Sequence, residues 1–276
     1  MMRSLWTAAS GMRAQQVNVD TIANNVANIN TIGYKSQQAS FKSLLYQNLQ
    51  STSTNNAGEN KPVAAEVGLG SRVAAITSTF TQGNLTHVEN PFSVALEGDG
   101  FFQIRTQSGE LQYTRDGSFE ISPVANGNML CTSDGNPVLD AYGNAIVLPS
   151  NRVATDLVVN QDGTLAFPDG TGNPAVITDA NGRKVKFGIY QFNNPAGLSK
   201  EGSNNYLVTV ASGAAVAENG NAAVKQTKTH QYYTEASNVD VANEMVNLIV
   251  AQRAYEMNSK AIQASDEMMQ QANALR

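Results

Sequence analysis

Leu5, Met12, Val19 and Val26 recur every seven residues near the start of the chain, and Ala8, Gln15, Ile22 and Ile29 form a second row three residues further on. Two rows offset in this way mark one stripe of a helix, with Gln15 as its single polar member. The pattern predicts a helix from Ser4 to about Asn30, roughly 40 Å long at 1.5 Å per residue. Only Arg13 and Asp20 are charged along it. Gly11 in its interior costs about 1 kcal/mol relative to alanine, so either a neighbour approaches the backbone closely there or the helix breaks. Asn30, Thr31 and Gly33 are read as its end, because glycine takes the left-handed conformation that closes helices.

The other end of the chain repeats the design. Val241, Leu248, Tyr255, Ile262 and Met269 recur at intervals of seven, with Met245, Gln252, Ser259 and Asp266 as companions. Ser237, three residues before Asp240, is read as a capping-box-like start. The stretch holds no glycine or proline, so a helix of thirty-odd residues is expected. Between these helices, short β-prone runs such as "GFFQI", "DLVVN" and "NYLVTV" alternate with Gly, Asn-Gly and Asp-Gly turns, which reads as antiparallel strands. Residues 50–62, "QSTSTNNAGENKP", are polar and rich in breakers, and are expected to be a flexible loop or a segment ordered only by partners.

The expected class is α+β. Residues 1–35 and 237–276 form a helical assembly domain whose two helices pair like a coiled coil. Residues 36–72 connect, and an all-β antiparallel domain occupies 73–236. The predicted contact residues are Leu5, Met12, Val19, Ile22, Val26 and Ile29, with Val241, Met245, Leu248, Tyr255, Ile262 and Met269.

Composition sharpens this picture. Charged residues make up 15% of the chain, well below the usual quarter, while 30 Asn and 18 Gln outnumber the 41 charged side chains. Amides need no counter-ion and tolerate burial between protein surfaces. The first helix is too uncharged for a solvated rod and too polar for lipid, so copies packed side by side would shelter it best. A net charge of −5 and pI near 5.1 argue against a nucleic-acid partner. Cys131 stands alone, which excludes an internal disulfide framework, and His87 and His230 are the only histidines, too few for zinc-type spacing. No apolar run reaches the length of a membrane span, and the start has no apolar core with a cleavage site, so no cleaved signal peptide and no membrane insertion are expected.

Candidate chemistry is sparse. The Asp-Gly pairs at Asp116, Asp134, Asp162 and Asp169 lack the clustered oxygen ligands of a calcium loop and read as turns. "EGDGFF", Glu97 to Phe102, lacks the third glycine of a dinucleotide loop and reads as a tight turn feeding a buried strand. Neither histidine sits near a nucleophile elbow, and both read as surface residues. Tyr232, Tyr233 and the run Phe41–Tyr46 read as packing rather than as a binding surface. No cofactor, metal or catalytic residue is expected.

The residues also carry a resemblance. Ala23-Asn24-Asn25-Val26-Ala27-Asn28 and Thr31-Ile32-Gly33-Tyr34-Lys35 are similar to the N-terminal signature of bacterial flagellar rod and hook axial proteins. "GNLTHVENPFSVALEGDGFFQI", with Gly98, Gly100, Phe101 and Phe102, and "YTRDGSFEI", with Asp116 and Gly117, resemble that family's central motifs. "EASNVDVANEMVNLIVAQRAYEMNSKAI", with Ser237, Asn238 and Val239, resembles its C-terminal one. Length and a single β domain resemble the distal rod members most, with proximal rod or hook-type subunits as the alternative within the family.

The resemblance implies a non-enzymatic subunit of the basal-body rod, outside the cytoplasmic membrane. It implies helical self-assembly into a hollow, torque-transmitting shaft, and export unfolded through the flagellar type III apparatus. Implied neighbours are proximal rod proteins, the hook protein and surrounding ring (bushing) proteins. Two readings from other classes stand beside it. One is an oligomeric β-rich adhesin or carbohydrate binder, separable by glycan arrays. The other is a hydrolase using β-domain carboxylates, separable by a substitution that abolishes turnover without affecting assembly.

Overall fold

The structure, a computed structural model, describes residues 2–50, 65–124, 127–150, 152–168, 174–178, 182–220 and 224–274. Apart from Gln50, which ends a strand, the flexible segment expected at 50–62 lies outside the described residues, as does the turn expected at Asp169. The chain divides into two compact units: residues 1–27, 37–78 and 240–276 form one, and residues 28–36 with 79–239 form the other.

The first unit holds helices α1 (Met2–Ala27) and α2 (Val241–Ala274). They lie antiparallel: Ser4 Oγ meets Ser265 Oγ at 3.3 Å, and the Asn25 amide donates to Glu244 Oε1 at 3.0 Å. Between those points α1 runs unbroken through Gly11, where an added Cβ would stand 2.9 Å from the Asn258 amide nitrogen. Of the two readings of Gly11, close approach is the one observed. Of the buried positions facing across the pair, Ala8, Ala251 and Ser265 are small.

Both helix starts and stops differ from expectation by a few residues. α1 stops at Ala27, so Ile29 stands beyond it. Gly33 does adopt φ +71, but in a later turn where its N–H donates to the Glu235 carbonyl at 2.8 Å, and so it does not cap the helix. At α2 the cap is Asp240, whose Oδ1 accepts the Ala242 N–H at 3.0 Å. Ser237 Oγ accepts the Val239 N–H at 3.3 Å, one turn too early to cap the helix.

Residues 37–78, read from sequence as a connector, carry four strands and group with the helices. Gln37–Ser43 pairs with Ser71–Ser78, and Tyr46–Gln50 with Ala65–Gly68, all antiparallel. The strand at 71–78 therefore stands with the helices and not with the central β region.

The second unit is antiparallel throughout its paired strands. Its largest sheet orders Ser199–Gly202, Asn205–Leu207, Leu111–Thr114, Phe101–Arg105, Ile189–Gln191 and Val216–Ala217. Successive strand residues point to opposite faces, and Phe101 and Phe102 use this to anchor two cores. Phe102 joins Phe119 and Phe187 at 5.0 and 5.4 Å between ring centroids, within the larger cluster. Phe101 joins Phe192 and Tyr206 in the smaller one. The expected turn ahead of this strand is present. A Cβ at Gly100 would fall within 2.8 Å of Ile189, Thr227 and Glu218 atoms, so the approach needs glycine. Gly135 and Gly163, at φ +79 and +80, form two of the four expected Asp-Gly turns, those of Asp134 and Asp162; at Asp116-Gly117 the glycine has no positive φ, and Asp116 Oδ1 accepts the Ser118 N–H instead.

Candidate assembly surface

The helical unit leaves its apolar residues in the open. Both clusters of buried hydrophobic side chains lie in the β unit. In the helical unit the buried apolar side chains are Ala8, Ala14, Ile22 and Ala251. Fifteen of the 24 large apolar side chains left exposed among the described residues belong to this unit, although it holds the smaller share of the chain.

The predicted contact residues divide by position. Ile22 is buried, while Leu5, Met12, Val19, Val26, Leu248, Ile262 and Met269 are half-buried. Val241, Met245 and Tyr255 are exposed, and Ile29 falls in the β unit. Along α2 the row facing α1 is Ala251, Asn258 and Ser265, three residues after the Leu248 row, whereas the sequence reading placed a companion row at Met245, four residues after Val241. Met245 is 54% exposed.

Sequence reasoning missed other exposed residues. Val246, Ile249, Val250 and Met257 make an outward stripe on α2, and Trp6 on α1 is 73% exposed. The signal was present as apolar residues at helical spacing, but these positions fall outside the heptad rows.

The motif residues behave differently, because most are tied within the chain. Ala23 and Asn24 lie exposed on α1. Asn25 is buried beside them and mimics a strand partner: its amide donates to the Gln37 carbonyl and its Oδ1 accepts the Gln37 N–H, each at 2.8 Å. Asn28 Oδ1 accepts the Thr31 hydroxyl at 3.2 Å. In the β unit, Asn238 accepts the Ser36 N–H at 2.7 Å and donates to the carbonyls of Thr79 and Thr81. Tyr34 and Val239 are buried.

Lys35 belongs to a buried ionic cluster of the β unit. Its Nζ donates to Glu235 Oε1 at 2.6 Å and to the Thr81 carbonyl at 2.9 Å. Arg115 reaches Glu235 Oε2 at 3.4 Å and donates to the Gly98 carbonyl at 2.7 Å, with its guanidinium 5.0 Å above the Phe101 ring. The Gly83 N–H donates to the same Glu235 carboxylate at 2.9 Å. Lys35 and Glu235 side chains are fully buried. Burial pushes the Lys35 ammonium below its ordinary 10.5, and Glu235 works against that fall.

Burial likewise raises Asp116, whose carboxylate accepts the Ser118 N–H and hydroxyl, and it pushes the Tyr206 hydroxyl up to about 12. A Cβ on Gly117 would overlap the Val94 carbonyl.

These groups hold backbone segments together. His87 packs against Tyr232 and Tyr233, and His230 contacts Glu97 at 2.7 Å on the surface. Among the described residues no group of three or more His, Cys, Asp or Glu could hold a metal. No described helix is long and apolar enough to cross a membrane.

Comparison with known proteins gives these features a context. Residues 5–35 match the family described as flagella basal body rod protein. Residues 95–167 match the flagellar hook protein FlgE/F/G D1 domain, and residues 230–275 the flagellar basal body rod FlgEFG protein C-terminal family. The chain is 42% identical to the flagellar basal-body rod protein FlgG of Borreliella burgdorferi, over 100% of this chain and 99% of that one. It is 38% identical to FlgG of Caulobacter vibrioides over the full length of both, and 35% identical to FlgG of Bacillus subtilis over 98% of each. With three motifs in order and matches along the whole chain, this protein belongs to the FlgE/F/G family of flagellar basal-body rod proteins.

Proposed function

We propose that the chain is a structural subunit of the flagellar rod, of the distal type, which polymerises helically through its helical unit into a hollow shaft carrying torque. The observation that carries this reading is the contrast between the units. The β unit has two apolar cores. The helical unit has none among the described residues and turns its apolar side chains outward. Isolated monomeric soluble proteins seldom leave contiguous apolar patches of this kind uncovered. Burying one such Val, Ile or Met side chain contributes roughly 1.5–3 kcal/mol, so a few subunit contacts outweigh the entropy of ordering them.

Within a shaft, the helix pair would act as a coiled-coil-like rod core, with proximal rod, hook and ring proteins as its proposed neighbours. Export through the flagellar type III apparatus is part of the same proposal. The motif residues Asn25, Lys35 and Asn238 then serve each subunit's internal rigidity, which a torque-bearing part needs, and the interface falls to the exposed apolar side chains.

Two measurements on the purified full-length chain test this. Electron microscopy should find tubes or filaments of regular width. Hydrogen exchange should find weak amide protection across residues 4–27 in the monomer, rising on assembly, because helices gain most of their stability from packing. A chain that stays monomeric at high concentration, with α1 strongly protected, would falsify the reading.

A further inference from the structure

The helical unit presents a groove and a ridge of matching length on opposite flanks. The groove, about 410 Å³, runs between α1 and the strand pair; Trp6, Arg13 and Val17 form one wall, and Leu44, Leu69 and Arg72 the other. Its two charged lining residues are both cationic. The ridge is the outward stripe of α2, Val246, Ile249, Val250 and Met257, with the Arg253–Glu256 pair at 2.9 Å alongside.

Helix geometry fixes the flanks. Trp6 and Arg13 stand two residues after Ser4 and Gly11, which face α2, so they lie about 200° round α1. Ile249 and Arg253 stand two residues either side of Ala251 and so face away from α1 by the same rule. Trp6 to Val17 and Val246 to Met257 each span eleven steps, about 16 Å. Within the ridge the one cation, Arg253, is paired with Glu256 at 2.9 Å, so the stripe brings no net positive charge to a groove lined by Arg13 and Arg72.

We infer that the groove between α1 and the strand pair seats the outward stripe of α2 from a second copy of this chain. The contact is heterologous: each subunit offers its ridge on one flank and receives its neighbour's in the groove on the other. A contact of this kind propagates into a ring or a helical filament and cannot be satisfied in a two-fold dimer. The inference rests on the rod reading and specifies which surfaces meet.

Two full-length variants test it. One blocks the groove with Trp6→Ala and Leu69→Asp; the other blocks the ridge with Ile249→Asp and Val250→Asp. All four positions are solvent-exposed, and circular dichroism checks that the fold is kept. Each variant alone should need at least a tenfold higher concentration to polymerise. Mixed in equal amounts, they should form discrete one-to-one dimers that grow no further, since one good ridge meets one good groove.

A mixture that stays monomeric while the wild type polymerises overturns the contact and leaves the rod reading standing. A variant that polymerises like the wild type overturns it as well. A wild type that never associates removes both. As a check independent of these variants, a photoreactive p-benzoylphenylalanine at Val250 in the polymer should cross-link to residues 6–17 or 69–73 of a neighbour, and adducts confined to α2 or to the β unit overturn the inference.

Discussion

Replacing Glu235 by glutamine tests the buried cluster at its centre. The substitution keeps size and an acceptor oxygen for the Gly83 N–H, removes the negative charge, and turns the other carboxylate oxygen into an N–H donor. In the wild type that charge faces Lys35 Nζ at 2.6 Å and Arg115 Nη1 at 3.4 Å. At an effective dielectric constant of about 20, those separations correspond to gross attractions of about 6 and 5 kcal/mol. Much of this offsets the cost of taking three ions out of water, which is several kcal/mol per ion. Removing the shared charge leaves two buried cations facing each other, with the Thr81 and Gly98 carbonyls, the Phe101 ring and the field of Asp99 as weaker compensation.

A loss of about 3–5 kcal/mol is therefore expected, the range for breaking a buried pair. The assay is urea unfolding of the full-length protein followed by near-ultraviolet dichroism, which reports the buried tyrosines of the β unit. The double variant Glu235→Gln with Lys35→Met should recover part of the loss, because it removes one stranded cation. A Glu235→Gln protein less than about 1 kcal/mol below wild type would refute the idea that this carboxylate balances the cluster, since even one unsatisfied charged hydrogen bond costs more.

Other expectations follow from the same contacts. Lys35 has a lowered folded-state pKa, so the unfolded chain binds more protons below 10.5, and stability should rise with pH as 10.5 is approached from below; Lys35→Met should flatten that slope in urea midpoints measured from pH 8 upward. Asn25→Ala strips the partner from both polar groups of the Gln37 backbone and should cost about 1–3 kcal/mol, read as faster exchange of the Gln37 amide. Gly117→Ala sets a methyl against the Val94 carbonyl and should cost about 1–3 kcal/mol or more in thermal melts, whereas Gly109→Ala, with open space around its Cβ position, pays only for its positive φ and should cost less.

How far the sequence could be read depends on what each contact is made of. The two helices announced themselves because their apolar spacing is long and unbroken. Their mutual register did not, because the row of α2 that meets α1 is Ala251, Asn258 and Ser265, which carry no hydrophobic signal; the reading fell instead on Met245, which the structure exposes. The strands at 37–43 and 71–78 were hidden for a related reason: "QQASFKS" is polar, and it pairs through backbone bonds and the Asn25 amide. The β unit, with aromatic runs between glycine turns, was legible in outline. The ionic cluster was not, since Lys35 and Glu235 lie 200 residues apart and no local pattern links them. The outward stripe of α2 could have been found by asking which apolar residues the heptad rows leave out.

The antiparallel pairing of α1 with α2 also sets a timetable. Ser4 finds Ser265 only across 261 positions of chain, and closing a flexible loop that long costs about 5 kcal/mol through its length alone. The β unit, whose strands meet mostly over shorter distances, can form while the tail is still missing. The opening helix must wait for nearly the last residues to arrive. A subunit delivered head first would therefore hold its opening helix unpaired until delivery is complete, and a chain cut short before residue 241 would keep the strands of its β unit yet leave that helix without its partner.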